Sequence, residues 1–165
     1  MQNKLPNLNF WKGKKVFITG HTGFKGSWLT IWMQLLGAKV SGFSLNPDDQ
    51  LNLFSELSKE PKFKNNFHHF LGNINNLKQL SDEIINFKPD VIFHLAAQPL
   101  VIESYLSPID TWETNVMGTM KVLQALRNIN YICSVVVVTT DKVYKNREWD
   151  YGYRENDELG GYDPY

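Results

Sequence analysis

The stretch from Lys15 to Gly26 constrains this chain more than any other. Val16, Phe17 and Ile18 form a continuous apolar β-type run, the pattern of a central strand covered on both faces. The run ends in a turn carrying Gly20, Gly23 and Gly26, and an apolar run from Ser27 to Leu36 follows at helical spacing. Glycine lets the backbone turn tightly and lets a ligand approach with no Cβ in the way. The first amides of the following helix find no acceptor inside it, and the positive end of its dipole draws an anion. The pyrophosphate of a dinucleotide suits such a turn. Glycines also punctuate ordinary strand-to-helix connections. Here the turn opens a strand and helix alternation that runs along the chain, and that context favours the ligand.

The alternation proceeds in order. Trp28, Leu29, Ile31, Trp32, Leu35 and Leu36 mark the apolar positions of a first helix, with Gly37 placed as its cap. A second strand is expected over 39–45, a loop over 46–49, a short helix over 51–57 and a third strand over 67–71. Leu77, Leu80, Ile84 and Ile85 define a helix face that stops at Lys88-Pro89-Asp90. A fourth strand over 91–95 precedes a long helix over 109–130, with Trp112, Val116, Thr119, Val122, Leu123 and Leu126 on one side. A fifth strand lies within 131–140, around the β-branched block Val135 to Val138. Residues 141–165 are polar, rich in glycine and aromatics and without period, and read as an active-site loop. The whole predicts one α/β domain over 1–165, a Rossmann-like doubly wound parallel sheet of strand order 3-2-1-4-5.

The 165 residues, 42% hydrophobic, suffice for one core. Lys plus Arg and Asp plus Glu number 17 each, so no global charge draws the chain to nucleic acid or to an anionic membrane. Lys12, Lys14 and Lys15 read as a solvated strand entry. No apolar run approaches membrane-spanning length and Met1 to Asn9 is polar, so a cytoplasmic protein is expected. Cys133 stands alone as a buried thiol, and His68-His69 lacks the spacing of a metal site. His94 is expected to be a core histidine at a strand end, with Asn115 bonded to backbone near strand four.

Three polar or small-residue clusters follow strands: Gly20 to Gly26, Ala96-Ala97-Gln98, and Thr139-Thr140-Asp141-Lys142. In doubly wound sheets ligands bind beyond the strand carboxyl ends, where strand order reverses, here between strands one and four. With His94-Leu95-Ala96-Ala97-Gln98, Asn115-Val116-Met117-Gly118-Thr119 and Thr139-Thr140-Asp141-Lys142-Val143-Tyr144, the chain resembles the extended short-chain dehydrogenase/reductase family, and within it the nucleotide-sugar 4,6-dehydratases. Three stretches are most similar to the branch acting on CDP-glucose: Gly20-His21-Thr22-Gly23-Phe24-Lys25-Gly26, Asp141-Lys142, and Asn146-Arg147-Glu148-Trp149 leading to Gly160-Gly161-Tyr162-Asp163-Pro164-Tyr165.

That resemblance implies NAD as cofactor, with NADP left open, because the second strand ends Phe43-Ser44-Leu45-Asn46 without the acid that usually holds the ribose. It places cofactor contacts at Gly20, Thr22, Gly23, Phe24, Lys25, Gly26, Ser44, Asn73, Ile74, Leu95, Ala96, Ala97 and Thr139. It implies a nucleotide-sugar substrate, CDP-glucose by likeness, and a homodimer formed through long helices. It also implies a sequence of steps. Tyr165 takes the C4 hydroxyl proton as hydride leaves C4, with Thr140 bonded to the same oxygen; Asp141 then donates to the C6 hydroxyl and Lys142 accepts the C5 proton. Tyr165 occupies the tyrosine of a Tyr-x-x-x-Lys motif whose lysine is not among these residues. The chain therefore resembles the N-terminal half of a longer enzyme without its substrate domain, expected to be a poor catalyst alone. Three alternatives stay open. Thr-Asp-Lys after a strand is also an ordinary turn, the same fold carries sugar epimerases and reductases, and the chain could bind a dinucleotide without turning over a sugar.

Overall fold

The structure, a computed structural model, describes residues 7–47, 52–64 and 67–165. Five parallel strands, β1 (Lys15–Thr19), β2 (Lys39–Ser44), β3 (Phe67–Leu71), β4 (Val91–His94) and β5 (Ser134–Val137), form one sheet of order β3-β2-β1-β4-β5. Strand order reverses between β1 and β4, which pair with Thr19 opposite His94. Asp48, Asp49 and Leu51, placed in the expected loop and short helix, lie outside the described residues.

The helices are α1 (Leu8–Trp11), α2 (Phe24–Leu35), α3 (Leu53–Leu57), α4 (Pro61–Lys64), α5 (Leu77–Phe87), α6 (Val101–Leu106), α7 (Pro108–Trp112) and α8 (Gly118–Leu126). A π-helical turn, Glu113–Met117, joins α7 to α8, so the expected long helix is a composite that ends at Leu126 instead of Asn130. The helices α1, α4 and α6 are too short to show a period and were not foreseen. Local signals account for the ends of the longer ones. Gly37, at φ 82°, lets Ala38 N reach Met33 O and closes α2. The Asn76 side chain accepts from Gln79 N at the start of α5, which stops two residues before Pro89.

Two cores flank the sheet. One joins Phe17, Phe43 and Ile92 to Leu80 and Ile84 of α5 and Val122 and Ala125 of α8; the other joins Val16, Ile18 and Val40 to Met33 of α2. The lysines expected as a solvated entry are partly engaged. Lys14 pairs with Asp90 at 3.6 Å, and Lys15 Nζ donates to Phe87 O. Asp90 also accepts from Lys15 N at 2.8 Å, which fixes where β4 starts beside β1.

The structure adds which way the helix faces point. The first helix buries Gly26, Ser27, Thr30 and Met33, while Trp28 is 55% exposed and Leu35 76%. Along the composite helix the residues expected on one side divide: Val122 points inward and Leu126 is partly buried, but Trp112, Val116 and Leu123 face outward. The side facing the sheet is set by fit. Val16, Ile18 and Val40, all fully buried, fill the α2 face of the sheet, and α2 seats on them with Met33 and the small Gly26, Ser27 and Thr30. The buried hydroxyls are satisfied close to home: Ser27 Oγ donates toward His21 O and Gly23 O, and Thr30 Oγ1 donates to Gly26 O. Met33→Ala should therefore lower stability by about 2–5 kcal/mol, whereas Leu35→Ala should stay within about 0.5 kcal/mol. Urea unfolding of both variants checks this, and the opposite order would mean that α2 seats its large face on the sheet.

Candidate dinucleotide and substrate site

The glycine turn sits at the switch point. Gly20 has φ 75° and its N–H donates to Phe43 O, and a Cβ there would lie 2.7 Å from Ala96 N. Only glycine lets this turn touch the loop after β4. At Gly26 a Cβ would lie 2.1 Å from Gly20 O, so the first turn of α2 also packs directly on the turn. Gly23 caps α2 with no side-chain bond, and its carbonyl accepts from Ser27 N. The first-turn amides of Phe24, Lys25 and Gly26 are thus presented beyond the end of β1, as an anion site requires.

Beneath the turn lies a polar network whose proton positions can be deduced. Thr119 Oγ1 donates to Asn115 O at 2.6 Å, so it accepts from His94 Nε2 at 3.0 Å. The other ring nitrogen is then an acceptor, and Thr19 Oγ1 donates to His94 Nδ1 at 2.6 Å. Thr19 Oγ1 in turn accepts from Leu95 N and Ala96 N, both at 3.2 Å. His94 is neutral in this arrangement, and burial pushes its pKa down to about 4. It acts as the expected core histidine. Asn115 bonds both backbone groups of Gln98, accepting from its N–H at 2.8 Å and donating to its carbonyl at 3.1 Å, also as expected.

At the end of β2, Thr22 donates to Leu45 O, so the 2.7 Å contact between Thr22 and Ser44 has Ser44 as donor. Ser44 keeps its acceptor lone pairs, the capacity that a ribose hydroxyl needs. Asn73 Oδ1 accepts from Asn75 N in a tight turn after β3. The Ile74 side chain is 4% exposed and packs into the core against Gly118, leaving its main chain for a cofactor contact.

After β5, Thr140 accepts from Lys142 N and starts a 3-10 turn over Asp141–Val143. The chain does turn here, which the acid and base pair needs if both side chains are to reach one substrate. Both are exposed, and Lys142 Nζ lies 3.8 Å from Asp163 Oδ2. Asp163 Oδ1 also accepts from Tyr165 N at 3.0 Å, so one carboxylate gathers two of the expected catalytic residues. Asp163 escaped the sequence reading, although it lies in the Gly160 to Tyr165 run that carried the resemblance. So did the pair His21 and His69, bonded at 2.7 Å between Nε2 and Nδ1. His21 is fully buried edge-on to Phe54 and Phe67, and a Cβ on Gly42 would strike its ring at 2.4 Å. This pair pins the glycine turn to β3. Among the described residues no cluster of three metal-ligating side chains occurs, and no helix is long and apolar enough to cross a membrane.

A parallel sheet of this order with a glycine turn at its switch point defines a Rossmann-like domain. The chain belongs to the GDP-mannose 4,6 dehydratase family, whose sequence model matches residues 17–165. It is 48% identical to CDP-glucose 4,6-dehydratase from Salmonella typhimurium over 95% of this chain and 43% of that protein. The UDP-glucose-4-epimerase of Stenotrophomonas maltophila, solved with bound NAD and formylated UDP-arabinopyranose, superposes with TM-score 0.79 at 20% identity, covering 92% of this chain and 44% of that one. MoeE5, solved in complex with UDP-glucose and NAD, is 26% identical with TM-score 0.71, over 92% of this chain and 44% of its own. The chain thus spans less than half the length of these relatives.

The buried histidines make stability depend on pH. Burial and the neighbouring His69 lower His21 to about 3, the Phe43 carbonyl opposing in part, and His69 is lowered by burial as well. A folded-state pKa below the unfolded value of about 6.5 means that the unfolded chain binds more protons on acidification. Stability is complete above that pH and declines as pH falls towards 4 for His94 and 3 for His21. Urea unfolding between pH 7.5 and 5 should show a loss of up to about 1.4 kcal/mol per pH unit for each histidine. A flat profile across that window would contradict the neutral networks described above.

Proposed function

We propose that this chain is the dinucleotide-binding part of a CDP-glucose 4,6-dehydratase, with residues 1–165 as its cofactor domain and the sugar-nucleotide domain outside it. The observation that carries the reading is the contact of the Gly20 turn with Ala96 beneath a helix start that has no side-chain cap, at the sheet edge that also carries the turn of Thr140, Asp141 and Lys142. The 48% identity to the Salmonella typhimurium enzyme supports the reaction and the CDP-linked sugar. NAD bound to MoeE5 supports the cofactor.

In this reading the amides of Phe24, Lys25 and Gly26 hold the pyrophosphate, Ser44 accepts from the ribose, and the main chain of Leu95, Ala96, Ala97 and Thr139 lines the path to the nicotinamide. Asn73 and the Ile74 backbone meet the adenine. The bound dinucleotide supplies the hydride acceptor at C4 and later the hydride donor at C6. Tyr165 takes the C4 hydroxyl proton while Thr140 holds the same oxygen. Asp141 protonates the departing C6 hydroxyl and Lys142 takes the C5 proton, for which it must leave Asp163. With no acid at Ser44 the chain discriminates weakly against NADP. A cytoplasmic location suits a nucleotide-sugar substrate.

By itself the chain should bind NAD weakly and CDP-glucose not measurably by calorimetry, because the lysine partner of Tyr165 and the sugar-nucleotide contacts are outside it. In an enzyme of the family's full length carrying this chain, Asp141→Asn with Lys142→Met should still reduce bound NAD with CDP-glucose yet release no water. Undiminished dehydration would remove both residues from the mechanism.

The homodimer is proposed through the composite helix. Ile109, Trp112, Val116, Met120 and Leu123 recur at spacings of three and four, and all are exposed, Ile109 at 81%. Trp112→Glu with Leu123→Lys should convert the dimer to monomer in sedimentation velocity without loss of secondary structure. A dimer unchanged by both substitutions would place its interface elsewhere.

A further inference from the structure

The turn between β3 and α5 is held from two sides. Gly72 N donates to Ser44 O at 2.8 Å, so the turn starts beside the ribose position proposed at the end of β2. From the other side the composite helix reaches in. A Cβ on Gly118 would lie 2.4 Å from Ile74 Cδ1, and Lys121 Nζ donates to Asn75 Oδ1 at 3.0 Å and to Glu113 Oε1 at 2.5 Å. The lysine side chain is only 22% exposed, and Glu113, eight positions back, opens the π-helical turn.

Donor and acceptor chemistry then fixes both amides of this turn. An ammonium only donates, so the atom of Asn75 that meets Lys121 is its oxygen. A backbone N–H also only donates, so Asn73 turns its oxygen, not its nitrogen, to Asn75 N at 2.9 Å. Asn73 is exposed, and an amide oxygen carries two lone pairs, so Oδ1 keeps one for a ligand. Turning the Asn73 amide over would set its NH2 against the Asn75 N–H, donor against donor. That alternative opens only if residue 75 moves, and the bridge from Glu113 through Lys121 holds it in place.

We infer that Lys121 is a positioning residue that makes the site select adenine. It acts through Asn75, which holds the Asn73 oxygen as an acceptor for the exocyclic amino group of the base. The inference rests on the proposed contact of Asn73 with the adenine and deepens it. A hypoxanthine base carries a carbonyl oxygen at that place, and acceptor would then face acceptor. Without the lysine, residue 75 is released, the Asn73 amide turns over freely, and either base finds a partner. A lysine that merely tied the helix to the turn would affect stability and leave the choice of base unchanged.

The test titrates NAD, and the analogue with hypoxanthine in place of adenine, into this chain and follows the amide resonances of residues 20–26 and 72–76. NAD should bind more tightly than the analogue by about 5-fold, the worth of one hydrogen bond. Lys121→Met and Asn75→Leu should each reduce that ratio to less than about 2-fold, whereas Lys121→Arg, which still donates to both partners, should keep it. Urea midpoints report whether each variant folds, and either folded variant decides the matter. A ratio unchanged in the folded variants, or lost only where the fold is lost, would make the bridge a structural tie and overturn the inference. Equal binding of the two dinucleotides by the unaltered chain would overturn it and leave the cofactor reading standing. Binding of neither would overturn both.

Discussion

The hydrogen bond from Thr19 to His94 joins the two central strands at their last residues, and the site is built outward from it. Both side chains are buried, so each polar atom needs a partner or the fold loses stability. The partners form one chain: the Leu95 and Ala96 amides on Thr19, Thr19 on His94, His94 on Thr119, and Thr119 on the Asn115 carbonyl. This chain bends the backbone after β4 towards β1, where the missing Cβ of Gly20 leaves space for it. The Asn115 side chain then fixes Gln98, and Gln98 fixes Leu100 N and Thr111. The π-helical turn lies at this point of the composite helix, with Asn115 inside it and Thr119 just beyond. One extra residue per turn there sets how two positions four apart serve the loop and the strand at once.

The same steric economy governs the helices. A sheet built from large side chains leaves room for Gly26, Ser27 and Thr30 beneath α2 and for Gly118 and Ala125 beneath α8. The large apolar residues of both helices then fall on their outer faces, on opposite sides of the sheet. A chain built this way presents two apolar rows instead of one sealed surface. Both rows are exposed among the described residues, and the α2 row begins at Phe24, one of the residues proposed to hold a pyrophosphate.

Much of this was legible in the sequence. The Val16 to Ile18 run, the glycine turn, the Val135 to Val138 block and the switch between strands one and four follow from residue type and order alone. The helix faces did not, because periodicity reports which residues share a side but not whether that side is inward. Trp28 and Trp32 share the helical spacing, and only the packing of Gly26, Ser27, Thr30 and Met33 over Val16, Ile18 and Val40 shows that they face outward. At Ile74 only the main chain is left for the proposed cofactor contact, because Gly118 opposite leaves a hole that its side chain fills. The short helices α1, α4 and α6 carry too few turns for any period to show. Asp163 lies 21 positions after Lys142 in sequence (163 − 142 = 21), and no local pattern joins them.

What brings Asp163 back is the architecture of the loop after β5. Tyr144 and Leu159 form an antiparallel bridge, with Lys145 N donating to Glu158 O and Gly160 N to Val143 O. Tyr144, Tyr153, Trp149 and Tyr151 stack in the enclosed excursion, and Glu158 meets both Lys145 and Arg147. The loop therefore holds its own shape and returns the chain to the 3-10 turn from which it left. Backbone bonds and ring stacking do the positioning, because ion pairs this exposed contribute little. That weakness has a use at Lys142. Its contact with Asp163 spans 3.8 Å and the lysine is 44% exposed, so the pair holds the ammonium near the turn without trapping it there. In the proposed role of Lys142 as base, the ammonium has to leave Asp163 and lose its proton before it can accept one, and a partner near enough to place it and weak enough to release it suits that role.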